Sequence, residues 1–413
     1  MEHILQTKIR SDKMNNLKMQ DKGLKRNIYS LGFVSFFTDL SSEMVLSLLP
    51  TFIINLPGSN PALLGLIEGV AEALSYCMRA ISGVFSDKFG KRKRLVLIGY
   101  GLSNIVKPFF SVANSAFEAF SIRVLDRVGK GVRTAPRDAL ICDSISEENR
   151  GAAFGLHRTL DQAGAILGPL LASGLLIFLG YTIRDVFLLS IVPGLAALMI
   201  LIFFVKEKSS KTDFKFSYVK GFKSLAKKDF LWLLIIVSVF SMGAFNFSFV
   251  LLYGSEVGVS SEFIPLLFAL VNVAHVAVAI PAGLLADRIG KEWMLLVGYI
   301  IFLAVNLAIS IGPLIWFMAL GVALVFGLYQ GIVNTVTRAL IPKYVKPSNV
   351  GTAYGIFYLA SGFSFLTANL IVGLLWNNYG PNLSVLYSAA LTVVSLFGFT
   401  FFLKREKSQK HLS

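Results

Sequence analysis

The chain has 413 residues, 55% of them from the AVILMFWYC set and only 15% charged, with a mean hydropathy of +0.68. A soluble domain carries about 25% charged residues, so this composition excludes one and predicts an integral membrane protein. The formal net charge of +15 would suit nucleic acid only on a soluble basic domain, which so apolar a chain does not offer, and no nucleic-acid partner is expected.

The first 27 residues are polar and basic, with Lys8, Arg10, Lys13, Lys18, Lys22, Lys25 and Arg26. They lack the apolar core of a cleavable signal and are expected to be a cytoplasmic tail, the first apolar segment serving as its own insertion signal. Twelve segments long enough to span a bilayer follow at roughly 28–55, 61–85, 94–113, 116–142, 151–180, 184–205, 230–254, 261–285, 293–311, 313–340, 351–377 and 382–403. The expected fold is all-α, with six-helix bundles at 28–205 and 230–403, a linker at 206–229 and a tail at 404–413. Lys88, Lys91, Arg92, Lys93 and Arg94 crowd the second loop, and eight lysines lie between Lys206 and Lys228. The turns at Pro57–Pro61, Ile311–Pro313 and Asn377–Pro381 carry no Lys or Arg, and Arg184 is the clear exception. The positive-inside rule thus places both termini and the linker in the cytoplasm, with the plasma (inner) membrane as the expected location.

Ionisable residues inside spans are functional candidates because charge in a bilayer is costly. Segment 1 offers Asp39 and Glu43, one turn apart on one face, and segment 2 offers Glu68, Glu72 and Arg79 in a narrow stripe. Segment 4 adds Arg123, Asp126, Arg127, Lys130 and Arg133, and segment 5 adds His157, Arg158 and Asp161. Proton carriage needs a desolvated carboxylate near a cation. Asp39 and Glu43 fit best, with Arg127 as the switching partner; Glu68, Glu72, Asp126 and Asp161 stand behind them. For each of these, a static ion pair that fixes helix packing is the competing reading, and for His157 plain packing is the commoner role. Cys77 and Cys142 lack ligand spacing, so neither metal nor disulfide is expected.

In the linker, Tyr218, Phe222 and Leu225 recur at helical spacing among lysines. They suit either a basic amphipathic helix on the anionic leaflet or a solvated tether. The second half places few charges in its spans and offers Asn246, Asn272, Gln330 and Asn334 among many phenylalanines. A division of labour is expected, with a charged first half against a neutral, aromatic second half.

The motif Gly83, Asp87, Lys88, Gly90, Lys91, Arg92 returns at an offset of 200 residues as Gly283, Asp287, Arg288, Gly290, Lys291. The same offset pairs Gly131 with Gly331 and Gly155 with Gly355. Two ungapped copies predict parallel repeats with a site between them near the midplane.

At these residues the chain resembles the major facilitator superfamily over essentially all of 28–403, the repeated motif matching that family's loop 2–3 and loop 8–9 signature. The resemblance implies that Asp87 bonds towards the start of segment 11, near Gly351, and closes the cytoplasmic side. Segment 5 is similar to the family's antiporter signature at Gly155, Gly164, Gly168 and Pro169, with Ala172-Ser173 in place of a final glycine pair. That implies the drug/proton antiporter branch. Segment 4 departs from the family pattern, with Lys130 for Gln and Arg133 for Gly. The expected function is proton-coupled export of a small organic molecule by alternating access, by a functional monomer in contact with membrane lipids. Alternatives are a proton-coupled symporter or exchanger of an organic anion such as a phosphate ester, held by the arginines, and a non-cycling sensor or lipid-handling protein. No phosphate-cradling loop or nucleophile–base pair is present, so neither enzymatic activity nor a cofactor is expected.

Overall fold

The computed structural model describes residues 26–146, 149–207, 228–311, 316–345 and 350–411. The expectations for the tail before Arg26, for a linker helix at Tyr218, Phe222 and Leu225, and for the turn at Pro313 lie outside these residues. Twelve long helices make up the described chain. The first half holds α1 (Arg26–Ile54), α2 (Pro61–Phe89), α3 (Arg92–Val106), α4 (Ala116–Asp143), α5 (Arg150–Leu179) and α6 (Ile183–Phe204). The second half holds α7 (Asp229–Glu256), α8 (Ile264–Ile289), α9 (Lys291–Ser310), α10 (Phe317–Leu340), α11 (Val350–Tyr379) and α12 (Pro381–His411).

Local chemistry sets the ends. The Asn60 side chain accepts from the Leu63 N–H at 2.9 Å with Pro61 at the first helical position, so α2 starts where the loop residues run out. Ser115 and Glu118 form a capping box at α4, and Thr182 with Asp185 forms another at α6. Gly90 (φ 62°) and Gly290 (φ 103°) end α2 and α8 in backbone that a side chain would strain, which is why both copies of the repeat keep a glycine there. α12 runs on to His411, past the boundary expected at 403. The last turns are polar, and nothing in 404–411 breaks a helix.

Ten of the twelve helices are long and apolar enough to cross a bilayer. The exceptions are α3, whose 15 residues continue as a 3-10 turn over Lys107–Ser111, and α4, which is heavily charged. Both are covered by neighbours, α4 lying between α2 and α3. The largest pairings within the first half have counterparts six helices later: α2–α4 with α8–α10, α3–α4 with α9–α10, and α3–α6 with α9–α12. The halves meet along α2–α11 and α5–α8, which the same shift of six exchanges. The fold is two pseudo-symmetric six-helix bundles.

At the end of the bundle near Pro61 the halves touch backbone to backbone. A Cβ on Gly65 would lie 2.1 Å from the Asn369 carbonyl oxygen, and one on Gly373 would lie 2.7 Å from that of Pro61. Ser173 of α5 donates to the Glu262 carbonyl at 2.6 Å, and the Thr51 and Ser255 hydroxyls stand 3.5 Å apart. Small residues allow this approach in lipid, where packing rather than hydrophobicity drives association. Gly65→Ala should therefore cost about 1–3 kcal/mol by overpacking and widen the distance between spin labels placed at the ends of α2 and α11. An unchanged distance and unfolding midpoint would show that this approach is not a constraint.

Candidate functional site

Away from that end the halves separate. A central cavity of about 320 Å³ adjoins a vestibule of about 800 Å³ that reaches Gly83 and Asp87 on one side and Gly351 and Gly355 on the other. The path is thus closed near Pro61 and open at the face carrying the basic 83–94 loop. Asp87 lies 3.8 Å from Arg92, which also pairs with Asp143 at 3.1 Å. Asp87 and Gly351 look onto one open vestibule, and among the described residues no hydrogen bond joins Asp87 to the start of α11. In the second copy, Asp287 and Lys291 form an exposed i, i+4 pair at 3.9 Å.

The deepest charges lie in the wall. Arg123, fully buried, donates from Nη2 to Glu68 Oε2 at 2.7 Å, from Nε to Oε1 at 3.1 Å, and from Nη1 to Asp126 at 3.2 Å. The Ser103 hydroxyl completes Asp126 at 2.5 Å. Bidentate geometry with every acceptor used is the condition under which a buried pair holds together. α7 is interrupted at residues 244–246, and Asn246 caps its continuation through Ser248 N–H. The freed Asn246 Nδ2 donates to Glu68 Oε2 at 3.2 Å, while its N–H donates to Asn369 Oδ1 at 3.0 Å. Asn272 of α8 likewise donates to the Ala165 carbonyl of α5 at 2.9 Å. Two amides expected to face the cavity thus also bond across the halves.

Asp39, Glu43, Glu72, Lys130, Arg127, Arg158 and Asp161 all line the central cavity. Arg127 rests on Glu72 at 3.5 Å, so it does not partner Asp39 as expected; the cation at Asp39 is Arg133, at 4.0 Å. Arg133 also holds its guanidinium 4.2 Å from the Tyr100 ring of α3. Arg158 pairs with Asp161 at 3.0 Å, and Ser35 donates to Asp161 at 2.5 Å. Arg79 lines the vestibule, stacked over Tyr76 and Tyr358. His157 is buried and lines neither cavity. Gly164 and Gly168 pack on the α1 backbone at Phe36 and Leu40, holding the Asp39–Glu43 turn against α5, whereas a Cβ on Gly155 would meet no described atom within 4 Å. Gln330, Asn334 and the rings of Phe268, Tyr329, Phe357 and Phe365 form the opposite wall.

Sequence reading missed Lys107. It is fully buried at the end of α3, its ammonium 2.7 Å from Ser42 Oγ, 3.0 Å from Asn104 Oδ1 and 3.5 Å from the Thr38 carbonyl. Three acceptors meet three N–H donors, strapping α3 to the turn that presents Asp39 and Glu43. A lysine within an apolar run, with Asn104 one turn before it, was the available signal.

The wall pair yields a stability test. Removing one partner of a buried pair costs about 3–5 kcal/mol, so Glu68→Ala should lower the unfolding free energy by that order. Glu72→Ala, whose partner reaches the cavity, should cost clearly less. Equal losses in equilibrium unfolding from detergent micelles would contradict this ranking.

A family model described as Major Facilitator Superfamily matches residues 31–253 and 231–413. The chain is 34% identical over 399 residues to the Uncharacterized MFS-type transporter MJ1317 of Methanocaldococcus jannaschii, covering 94% of this chain and 98% of that one. It is 24% identical to Multidrug resistance protein MdtG of Proteus mirabilis (92% and 96% covered) and 25% identical to Multi-drug resistance efflux pump PmrA of Streptococcus pneumoniae (91% and 95%). In fold it resembles the nucleoside transporter NupG (TM-score 0.74, 13% identity, 91% and 99% covered) and the peptide transporter POT in complex with sulfate (TM-score 0.75, 13% identity, 93% and 94%). The chain is an integral membrane transporter of small molecules rather than an enzyme, and it belongs to the Major Facilitator Superfamily.

Proposed function

We propose that this protein is a secondary active exporter that exchanges a small organic molecule for protons by alternating access, as a monomer in the plasma membrane. The observation that carries this reading is the α1 turn. Asp39 and Glu43 both line the cavity between the halves, and Glu43 Oε2 is buried without a hydrogen-bond donor among the described residues. A bound proton or a cationic group supplies what the protein leaves unmade there. Glu68 and Asp126 are consumed by Arg123, Glu72 by Arg127 and Asp161 by Arg158. Asp39 has the longest of these pairs, with Arg133 at 4.0 Å, and is the least committed of the paired carboxylates. The multidrug relatives support export over uptake.

With the basic loops in the cytoplasm, the vestibule opens inward and is the loading state of an exporter. Rocking about α2–α11 and α5–α8 would part Gly65 from Asn369 and bring Asp87 towards Gly351. The organic-anion reading has less support, because Arg123, Arg127 and Arg158 already hold carboxylates within 3.5 Å. A non-cycling sensor would have no need of the open path beside a closed end.

Topology is tested by labelling in cells. A cysteine at Ser59 should react with an impermeant thiol reagent from outside and one at Ser210 should not; the opposite pattern would invert the orientation. Coupling is tested in proteoliposomes with an imposed pH gradient, screening lipophilic cations and organic phosphates. Asp39→Asn should reduce gradient-driven transport to that of empty liposomes while passive exchange of the same compound stays measurable. Full proton coupling in Asp39→Asn/Glu43→Gln would move the proton to another group.

A further inference from the structure

The central cavity contains both signs of charge, and most are neutralised in place. Arg127 with Glu72, Arg158 with Asp161 and Arg133 with Asp39 are ion pairs at 3.5, 3.0 and 4.0 Å. On the charged half of the lining, two groups remain. Among the described residues, the Glu43 carboxylate and the Lys130 ammonium have no opposite charge within 4.0 Å. They stand on α1 and α4 and line the same cavity. Across from them the second half offers rings and neutral amides, with Arg338 exposed at the wide end.

Each class of ligand leaves a different residue of unmet charge. A simple cation would satisfy Glu43 and leave Lys130 facing a second positive charge. A simple anion would satisfy Lys130 and leave the orphaned Glu43 oxygen beside another negative group. A ligand with one charge of each sign satisfies both and brings no net charge to the middle of the membrane, where an unpaired one is costly. Its body would lie on the wall of Phe268, Tyr329, Phe357 and Phe365. A volume of about 320 Å³ lies at the small end of the range for organic ligands.

We propose that the substrate is a zwitterion with an aromatic body, its ammonium received by Glu43 and its carboxylate by Lys130. This assignment rests on the transport reading above and deepens it: a substrate ammonium and a proton would compete for one carboxylate, which is what exchange requires.

The test is a matched series on the purified full chain: tryptamine, indole-3-propionate and tryptophan, which share one ring system and differ in charge. Binding is measured by calorimetry, and transport by counterflow in proteoliposomes. Tryptophan should bind at least about tenfold more tightly than either relative, tenfold being 1.4 kcal/mol. Glu43→Gln should lower tryptophan to the level of indole-3-propionate without weakening the latter. Lys130→Gln should lower it to the level of tryptamine without weakening tryptamine. Tryptamine binding as tightly as tryptophan in the unaltered protein would overturn the proposal, whatever the variants do. Binding of none of the three, with tetraphenylphosphonium still carried against a pH gradient, would overturn it and leave proton-coupled export standing. Tryptophan counterflow that never responds to a pH gradient would retain the zwitterion and remove the proton coupling.

Discussion

A charge placed in a bilayer has to find its partner inside the protein, and α4 shows how far that rule shapes this molecule. Its 28 residues carry nine charged side chains, each costing about 2.5–3.5 kcal/mol at the centre of an isolated spanning helix. Such a helix persists only between neighbours that answer its charges. α2 supplies Glu68 and Glu72, α1 supplies Asp39, and α3 supplies Ser103 and the Tyr100 ring. The order of helices in the first half follows from that need as much as from the loops that join them. The second half, with few charges in its spans, is held by stacked rings such as Phe240 on Tyr299 at 3.7 Å.

Much of this was legible in the residues. Hydropathy located most of the spans within a few positions because a bilayer demands about twenty apolar residues where a helix crosses it, although α12 runs on past its expected end. The repeat at Gly83 and Gly283 announced two halves, and the intramembrane carboxylates and cations pointed to the lining of the cavity. The partners were harder to read. Arg127 and Arg133 lie six residues apart on one helix, and which of them meets Asp39 depends on the rotation of α4 against α1, which no spacing within α4 encodes. The same holds for Asn246, whose bond to Glu68 arises because α7 breaks at 244–246. Lys107 escaped notice because one lysine in an apolar run leaves the mean hydropathy almost untouched, whereas its meaning lies in three oxygens from two helices.

The two halves share a backbone plan and differ in chemistry. Pairings repeat six helices on, yet the charges gather on one side of the cavity and the rings on the other. Duplication supplied a frame with a two-fold axis, and substitution within one copy concentrated the polar work there. A neutral wall can slide past a bound solute without exchanging ion pairs.

The two ends of the path are also built from different materials. Near Pro61 the contact is made by Gly65, Gly373 and main-chain carbonyls, with no formal charge in it. The opposite rim is made of Asp87, Arg137, Asp138 and Arg338. Dissolved salt screens charges beyond about 8 Å at physiological ionic strength, but it has no purchase on a van der Waals contact between glycines. One end therefore answers to the ionic composition of the medium, and the other to the thickness and lateral pressure of the lipid. A balance between conformations open to either side would thus be set jointly by the water on one side and the membrane itself.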